Sequence, residues 1–189
     1  EDPDSFRELL SEDERLRAGR LRSPRSAARF TVARGILRSL LGRYLAHRPE
    51  QLVFSYGPHG KPGLAGGVDE WLSFNVSHSA GLVVFAVSNG FEVGVDIEEI
   101  HPIIDLEATA SIFLSPVEFA EFKVMPAVGK LERFFTMWTC KEAILKALGS
   151  GFTSPVKEIS AMDCQPDPQV DAQNMTFQNK QITSLYPAE

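Results

Sequence analysis

Two cysteines in 189 residues are too few for a disulfide framework or a multi-cysteine metal site. Cys140 and Cys164 therefore read as two reduced thiols of a cytoplasmic protein. No apolar run approaches the roughly 18 residues that a membrane span needs, and no charged-then-apolar leader follows Glu1. The expectation is a chain without a membrane. Acids are missing from one long stretch, which holds ten arginines from Arg15 to Arg48 and no aspartate or glutamate. Residues 1–61 carry a net charge of +4 and the remainder −10. Such a stretch suits an anionic ligand or partner, and it also suits a solvated helix face. The overall charge of −6, with no interleaved aromatics or known reader motif, argues against nucleic acid as the partner. The phosphate-loop pattern GxxxxGK[ST] is absent too, which argues against a P-loop enzyme.

What is present is ordinary globular composition, 43% hydrophobic and 23% charged, enough for one substantial core or two small ones fused. Leu10-Ser11-Glu12-Asp13-Glu14 reads as a capping box that opens a helix. Ser23-Pro24 opens a second, with an apolar stripe over Ala27, Phe30, Ala33, Leu37, Leu40 or Leu41, and Tyr44. Leu52–Tyr56 and Trp71–Val76 read as strands around the loop 57–63. Asn89-Gly90 predicts a hairpin between Leu82–Ser88 and Phe91–Ile97. The pattern then restarts. Leu114–Glu118 repeats the capping box at an offset of 104, Ile144–Leu148 echoes Ile36–Leu40 at 108, and Val156–Met162 follows as a strand candidate. Two echoes at nearly equal offsets point to duplication. The fold class expected is α+β, with two similar helix-helix-strand halves, 1–89 and 90–189, and a ligand cleft where they meet.

Four places could carry chemistry. Asp96 and Glu98 share one face of a strand whose other face is Val93, Val95 and Ile97. Either this is an exposed polar edge, or a hard divalent cation relieves the repulsion of the two carboxylates. Glu142 and Lys146, four apart on a helix with a stripe of Phe134, Trp138, Leu145 and Leu148, are either a solvated pair or a metal ligand or base beside a phosphate-binding lysine. His78 stands at a strand end, as a structural residue or a ligand contact. Lys61 lies between Gly60 and Pro62 in a stiff loop and is equally open.

Read together, these segments resemble the Sfp-type 4′-phosphopantetheinyl transferases, from about Leu10 to Ile159. The motifs come in the family's order: Gly60-Lys61-Pro62, then Phe74–Ser79 as FN-x-SHS, then Val93–Glu98. Last comes Trp138–Lys146 as W-x-x-KE-x-x-x-K. The resemblance implies a pseudo-twofold monomer with coenzyme A between its halves. It implies that Asp96, Glu98 and Glu142 hold Mg²⁺. Arg17, Gly60, Lys61, Pro62, Asn75, Ser77 and His78 would bind the coenzyme, with Lys146 on its pyrophosphate and Glu142 and Lys146 as the catalytic pair. The acceptor implied is a serine of an acidic apo acyl or peptidyl carrier protein, which the arginine-rich half could attract. The rival readings are a Mg²⁺-dependent phosphohydrolase and, from another class, a nucleic-acid-binding module.

Overall fold

The computed structural model describes residues 2–67, 71–151, 156–164 and, as backbone, 175–182. The architecture mixes helices and strands, and it divides into two compact units. One comprises 1–55 and 63–70, the other 56–62 and 71–189.

In the first unit, α1 (Asp4–Arg7) and α2 (Glu12–Gly19) pack on the long α3 (Pro24–Leu45). The Ser11 box forms as its sequence predicts, with the Ser11 amide donating to the Glu14 carboxylate at 3.0 Å. Glu14 is buried, and it also meets Arg38 Nε at 2.6 Å and Arg34 Nε at 3.3 Å. Arg38, only 1% exposed, also donates to the carbonyls of Pro49 and Leu52. A residue that looks like part of an anion-binding stripe is thus spent inside the fold. Tyr44, expected on the apolar stripe, is exposed, and the inner face runs instead through Thr31, Gly35, Leu37, Arg38 and Leu41.

The second unit repeats that device. Helix α4 (Leu106–Phe113) leads into α5 (Pro116–Val124), capped by a Ser115–Glu118 box. Glu118 is buried against Lys141 of α6 (Lys130–Leu148) at 2.8 Å. Lys141, wholly buried, donates to the carbonyls of Val156 and Ile159. Each unit therefore ties a capping-box glutamate to a base on its long helix, and that base to the first residue of a 3₁₀ turn and the residue following it. The box offset is 104 and the base offset 103, so these contacts align the long helices five residues away from the Ile36–Leu40 echo. Two expectations fail in this region. Val156–Glu158 is a 3₁₀ turn and not the start of a strand, because its carbonyls turn inward to Lys141. Leu148 is exposed, since it lies in the last turn of α6. Cys140 and Cys164 are joined as a disulfide, where reduced thiols were expected: the turn after Ile159 returns Cys164 to the buried cluster that holds Cys140.

The strands pair differently from the sequence expectation. β1 (Phe54–Tyr56) and β2 (Pro62–Leu64) form a small sheet. β3 (Leu72–Ser79) pairs antiparallel with β4 (Leu82–Asn89), Ser79 opposite Leu82. The hairpin turn is Ala80-Gly81, both at positive φ, the combination that a type I′ turn requires. Asn89-Gly90 does turn the chain, but β5 (Glu92–Glu99) leaves β4 and pairs with β6 (Met175–Ile182). β5 is also packed along β3 and against α6. This places the division between units near residue 70, because β3 and β4 belong with β5.

Gly94 sets how closely α6 approaches. A β-carbon there would stand 1.8 Å from the Ala143 carbonyl oxygen and 2.5 Å from the Ala147 amide nitrogen. Both are backbone atoms, so no side chain can yield; the helix must move. We expect Gly94→Ala to cost about 3 kcal/mol, a fall in melting temperature of roughly 6–12 °C. Thermal unfolding checks this, and a change below about 2 °C would mean that α6 and β5 are not in backbone contact.

Candidate active site

β5 and α6 bring the predicted residues together. Alternation along β5 puts Val93, Val95 and Ile97 in the core, while Asp96 and Glu98 line a polar cleft of about 330 Å³. One helical turn sets Glu142 and Lys146 on the same cleft, and His78 and Ser77 of β3 complete the wall. Trp138, stacked on Phe134 and edge-on to Phe113, forms its apolar side.

The solvated-pair reading of Glu142 and Lys146 does not describe what is seen. Lys146 Nζ donates to Asp96 Oδ1 at 2.6 Å and to Ser77 Oγ at 2.9 Å. Asp96 is buried, with Oδ1 engaged and Oδ2 without a hydrogen-bond partner. Glu142 Oε1 is likewise buried and without one. Burial, with Asp96 and then Glu98 nearby and only Lys146 opposing, pushes the Glu142 carboxyl up to about 7. Two orphaned carboxylate oxygens and a third carboxylate at one cleft are the hard-oxygen donors that suit a Mg²⁺ ion. They are not gathered as a finished cage: among the described residues, no three His, Cys, Asp or Glu side chains cluster closely enough to grip a metal.

The raised carboxyl has a measurable consequence. Between pH 4.5 and about 7 the folded, metal-free protein retains at Glu142 a proton that the unfolded chain has released. The stability this confers is complete below pH 4.5 and is lost as pH rises through about 7. Glu142→Gln removes the titration. In chelator, its melting temperature should exceed that of wild type at pH 8, and its melting profile between pH 4.5 and 7 should be flatter. A glutamine variant that melts lower at pH 8 would show that Glu142 is not held at the cost of its charge.

The other expected residues are more dispersed. Lys61 donates to Glu92 and, at 2.6 Å, to the Ala147 carbonyl, at the C-terminal end of α6 just beyond Lys146. Gly60, at positive φ, and Pro62 shape the loop that holds it. Asn75 and Ser77 are buried, and each accepts an amide of β5. His78 is exposed beside the cleft. Arg17 lies in the first unit, exposed, with its guanidinium 5.3 Å from the centre of the Phe30 ring. Two residues within the quoted motifs had been given no role of their own: Ser79, which donates to Glu98 Oε2, and Gly94. The signal for the first was present in the alternation Asn75, Ser77, Ser79, with small polar residues at every second position of a strand.

Comparison with known proteins matches residues 92–185 to the 4′-phosphopantetheinyl transferase superfamily, and residues 4–90 to the family described as 4′-phosphopantetheinyl transferase, N-terminal. The chain is 46% identical to the 4′-phosphopantetheinyl transferase HetI of Nostoc over 143 residues, 75% of this chain and 60% of that protein. It is 34% identical to AcpT of Salmonella typhimurium, over 76% of this chain and 74% of that one. With psf-1 of Bacillus pumilus it shares 33%, over 84% and 66%. The chain thus spans less than two thirds of the length of HetI and slightly less than two thirds of psf-1. It belongs to the 4′-phosphopantetheinyl transferase superfamily. Within that class it is of the Sfp type.

Proposed function

We propose that this chain transfers the 4′-phosphopantetheine group of coenzyme A to a serine of an apo acyl or peptidyl carrier protein, releasing 3′,5′-ADP. The observation that carries the reading is the meeting of Asp96, Glu98, Glu142 and Lys146 on one cleft in a chain of this family. The acceptor serine holds its proton too tightly to release it unaided at neutral pH. Glu142, on the cleft with one buried oxygen free of hydrogen bonds, is placed to take it directly or through water. The serine oxygen then attacks the β-phosphorus of the coenzyme, and the bond to 3′,5′-ADP breaks with its electron pair on the departing phosphate. Lys146 is a compact ammonium on the same cleft, suited to offset that charge. Asp96, Glu98 and Glu142 are the residues that would hold Mg²⁺, an ion that polarises phosphoryl oxygens when bound. Positioning and electrostatics then supply most of the catalysis, without a covalent enzyme intermediate.

In this reading His78, Lys61 in its Gly60–Pro62 loop, and Arg17 contact the coenzyme phosphates. The pseudo-twofold relation of the halves, with the ligand at their interface, and a cytoplasmic monomer belong to the same proposal. No helix among the described residues is long and apolar enough to cross a membrane.

Coenzyme A labelled in its pantetheine arm tests the reaction. Label should appear covalently on the apo carrier protein, with release of 3′,5′-ADP. Labelled phosphopantetheine freed into water would indicate a hydrolase instead. At saturating coenzyme A, Lys146→Ala should lower turnover by about 10²–10³-fold, the effect of losing one preorganised charge stabiliser. Full turnover under those conditions would return Lys146 to a structural role.

A further inference from the structure

β5 lies along β3, yet no backbone ladder joins them. Side chains of β3 take its place. Asn75 Oδ1 accepts the Val95 amide, Ser77 Oγ the Ile97 amide, and Ser79 Oγ the Glu99 amide. The two serines do something more. Ser77 donates to Asp96 Oδ1 at 2.8 Å and Ser79 to Glu98 Oε2 at 3.1 Å. The relation is the same each time: the serine holds the carboxylate 19 residues on and the amide 20 residues on. At the third step, 19 residues beyond Asn75, stands Gly94, with no side chain to hold. There the β3 residue is an acceptor of an amide and not a hydroxyl.

A backbone amide needs only an acceptor, as Asn75 shows; a carboxylate needs a donor, and serine is both at once. Ser77 is also fully committed, donating once and accepting from the Ile97 amide and from Lys146. Pinning Asp96 by Oδ1 leaves Oδ2 as the oxygen without a partner. We propose that Ser77 and Ser79 are positioning residues for the metal-binding carboxylates Asp96 and Glu98, with Ser77 also setting Lys146 against Asp96. This replaces the coenzyme contact that the resemblance implies for Ser77. It rests on the reading of Asp96, Glu98 and Glu142 as Mg²⁺ ligands.

The test uses Mn²⁺ alone, titrated calorimetrically into the full chain, followed by coenzyme A titrated separately in chelator. Ser77→Ala and Ser79→Ala should each weaken Mn²⁺ by about 10–100-fold, the usual cost of losing a partner that orients a ligand. Coenzyme A binding in chelator should be unchanged in Ser79→Ala, which touches neither Lys146 nor the buried end of the cleft. Ser79→Thr, which keeps the hydroxyl, should stay within about threefold of wild type, a rescue that a purely structural role does not require. Because Ser77 is buried, where alanine threatens the fold itself, Ser79→Ala, at a partly exposed position, decides the matter. Mn²⁺ affinity in Ser79→Ala within about twofold of wild type would overturn the proposal. So would a Ser77→Ala variant that loses coenzyme affinity and keeps its affinity for Mn²⁺. Wild type that takes up no Mn²⁺ and transfers no label would instead bring down the functional reading, and this inference with it.

Discussion

Asp96→Ala is expected to lower the rate of the proposed phosphopantetheine transfer at least ~10³-fold, the scale of losing a metal ligand in the transition state. The fold should survive. Asp96 is one of three carboxylates on a single cleft, and it raises Glu142 by its charge. Removing it relieves repulsion, and the Lys146 ammonium, with a side chain 30% exposed, remains solvated. The variant also loses the acceptor of Ser77 and Lys146, so it should remain folded in chelator while failing in the label-transfer assay at saturating coenzyme A. A near-normal rate at low Mg²⁺ would remove Asp96 from the proposed metal ligands.

Lys141→Met should have the largest effect on stability, about 3–5 kcal/mol in urea unfolding, because it strands a buried carboxylate. Glu118 shows how strongly the pair is coupled. Burial by itself would raise its carboxyl, but the Lys141 ammonium and the amides of Ala161 and Ser115 outweigh it and hold the group below the usual carboxylate range. This contribution is present above pH 4.5 and is lost as pH falls through the lowered value. The double variant Glu118→Gln with Lys141→Met should recover part of the loss, since no unpaired charge then remains. A single variant within about 1 kcal/mol of wild type would show that Lys141 is replaceable by its methylenes.

Much of this was legible in the sequence. Both capping boxes formed where Ser11–Glu14 and Ser115–Glu118 predicted them, because a cap is made within four consecutive residues. Asp96 and Glu98 could be assigned to one face of a strand, and Glu142 and Lys146 to one face of a helix, since period 2 and period 3.6 are local properties. The sequence carries an echo at offsets of 104 and 108, though the buried bases Arg38 and Lys141 align the long helices at a different offset. Their roles could not be read. A charged residue on a helix is normally solvated, and nothing near Arg38 in sequence announces the distant carbonyls of Pro49 and Leu52.

The pairing of strands was the plainest miss. Asn89-Gly90 carries the stronger hairpin signal, yet the ladder runs across Ala80-Gly81, and β5 finds β6. A turn can be encoded in two residues, whereas a ladder depends on which neighbour buries the strand, and α6 and β3 claim β5. By itself the sequence determined the two capping-box helices, the two long helices, the strands β1, β3, β4 and β5, the faces on which the acids and Lys146 lie, and the family. Only the tertiary structure decided that Ser77 and Ser79 serve the carboxylates, that Lys146 rests on Asp96, and that Gly94 admits α6. Each of these is a contact between residues 19 to 53 apart, beyond the reach of any local periodicity.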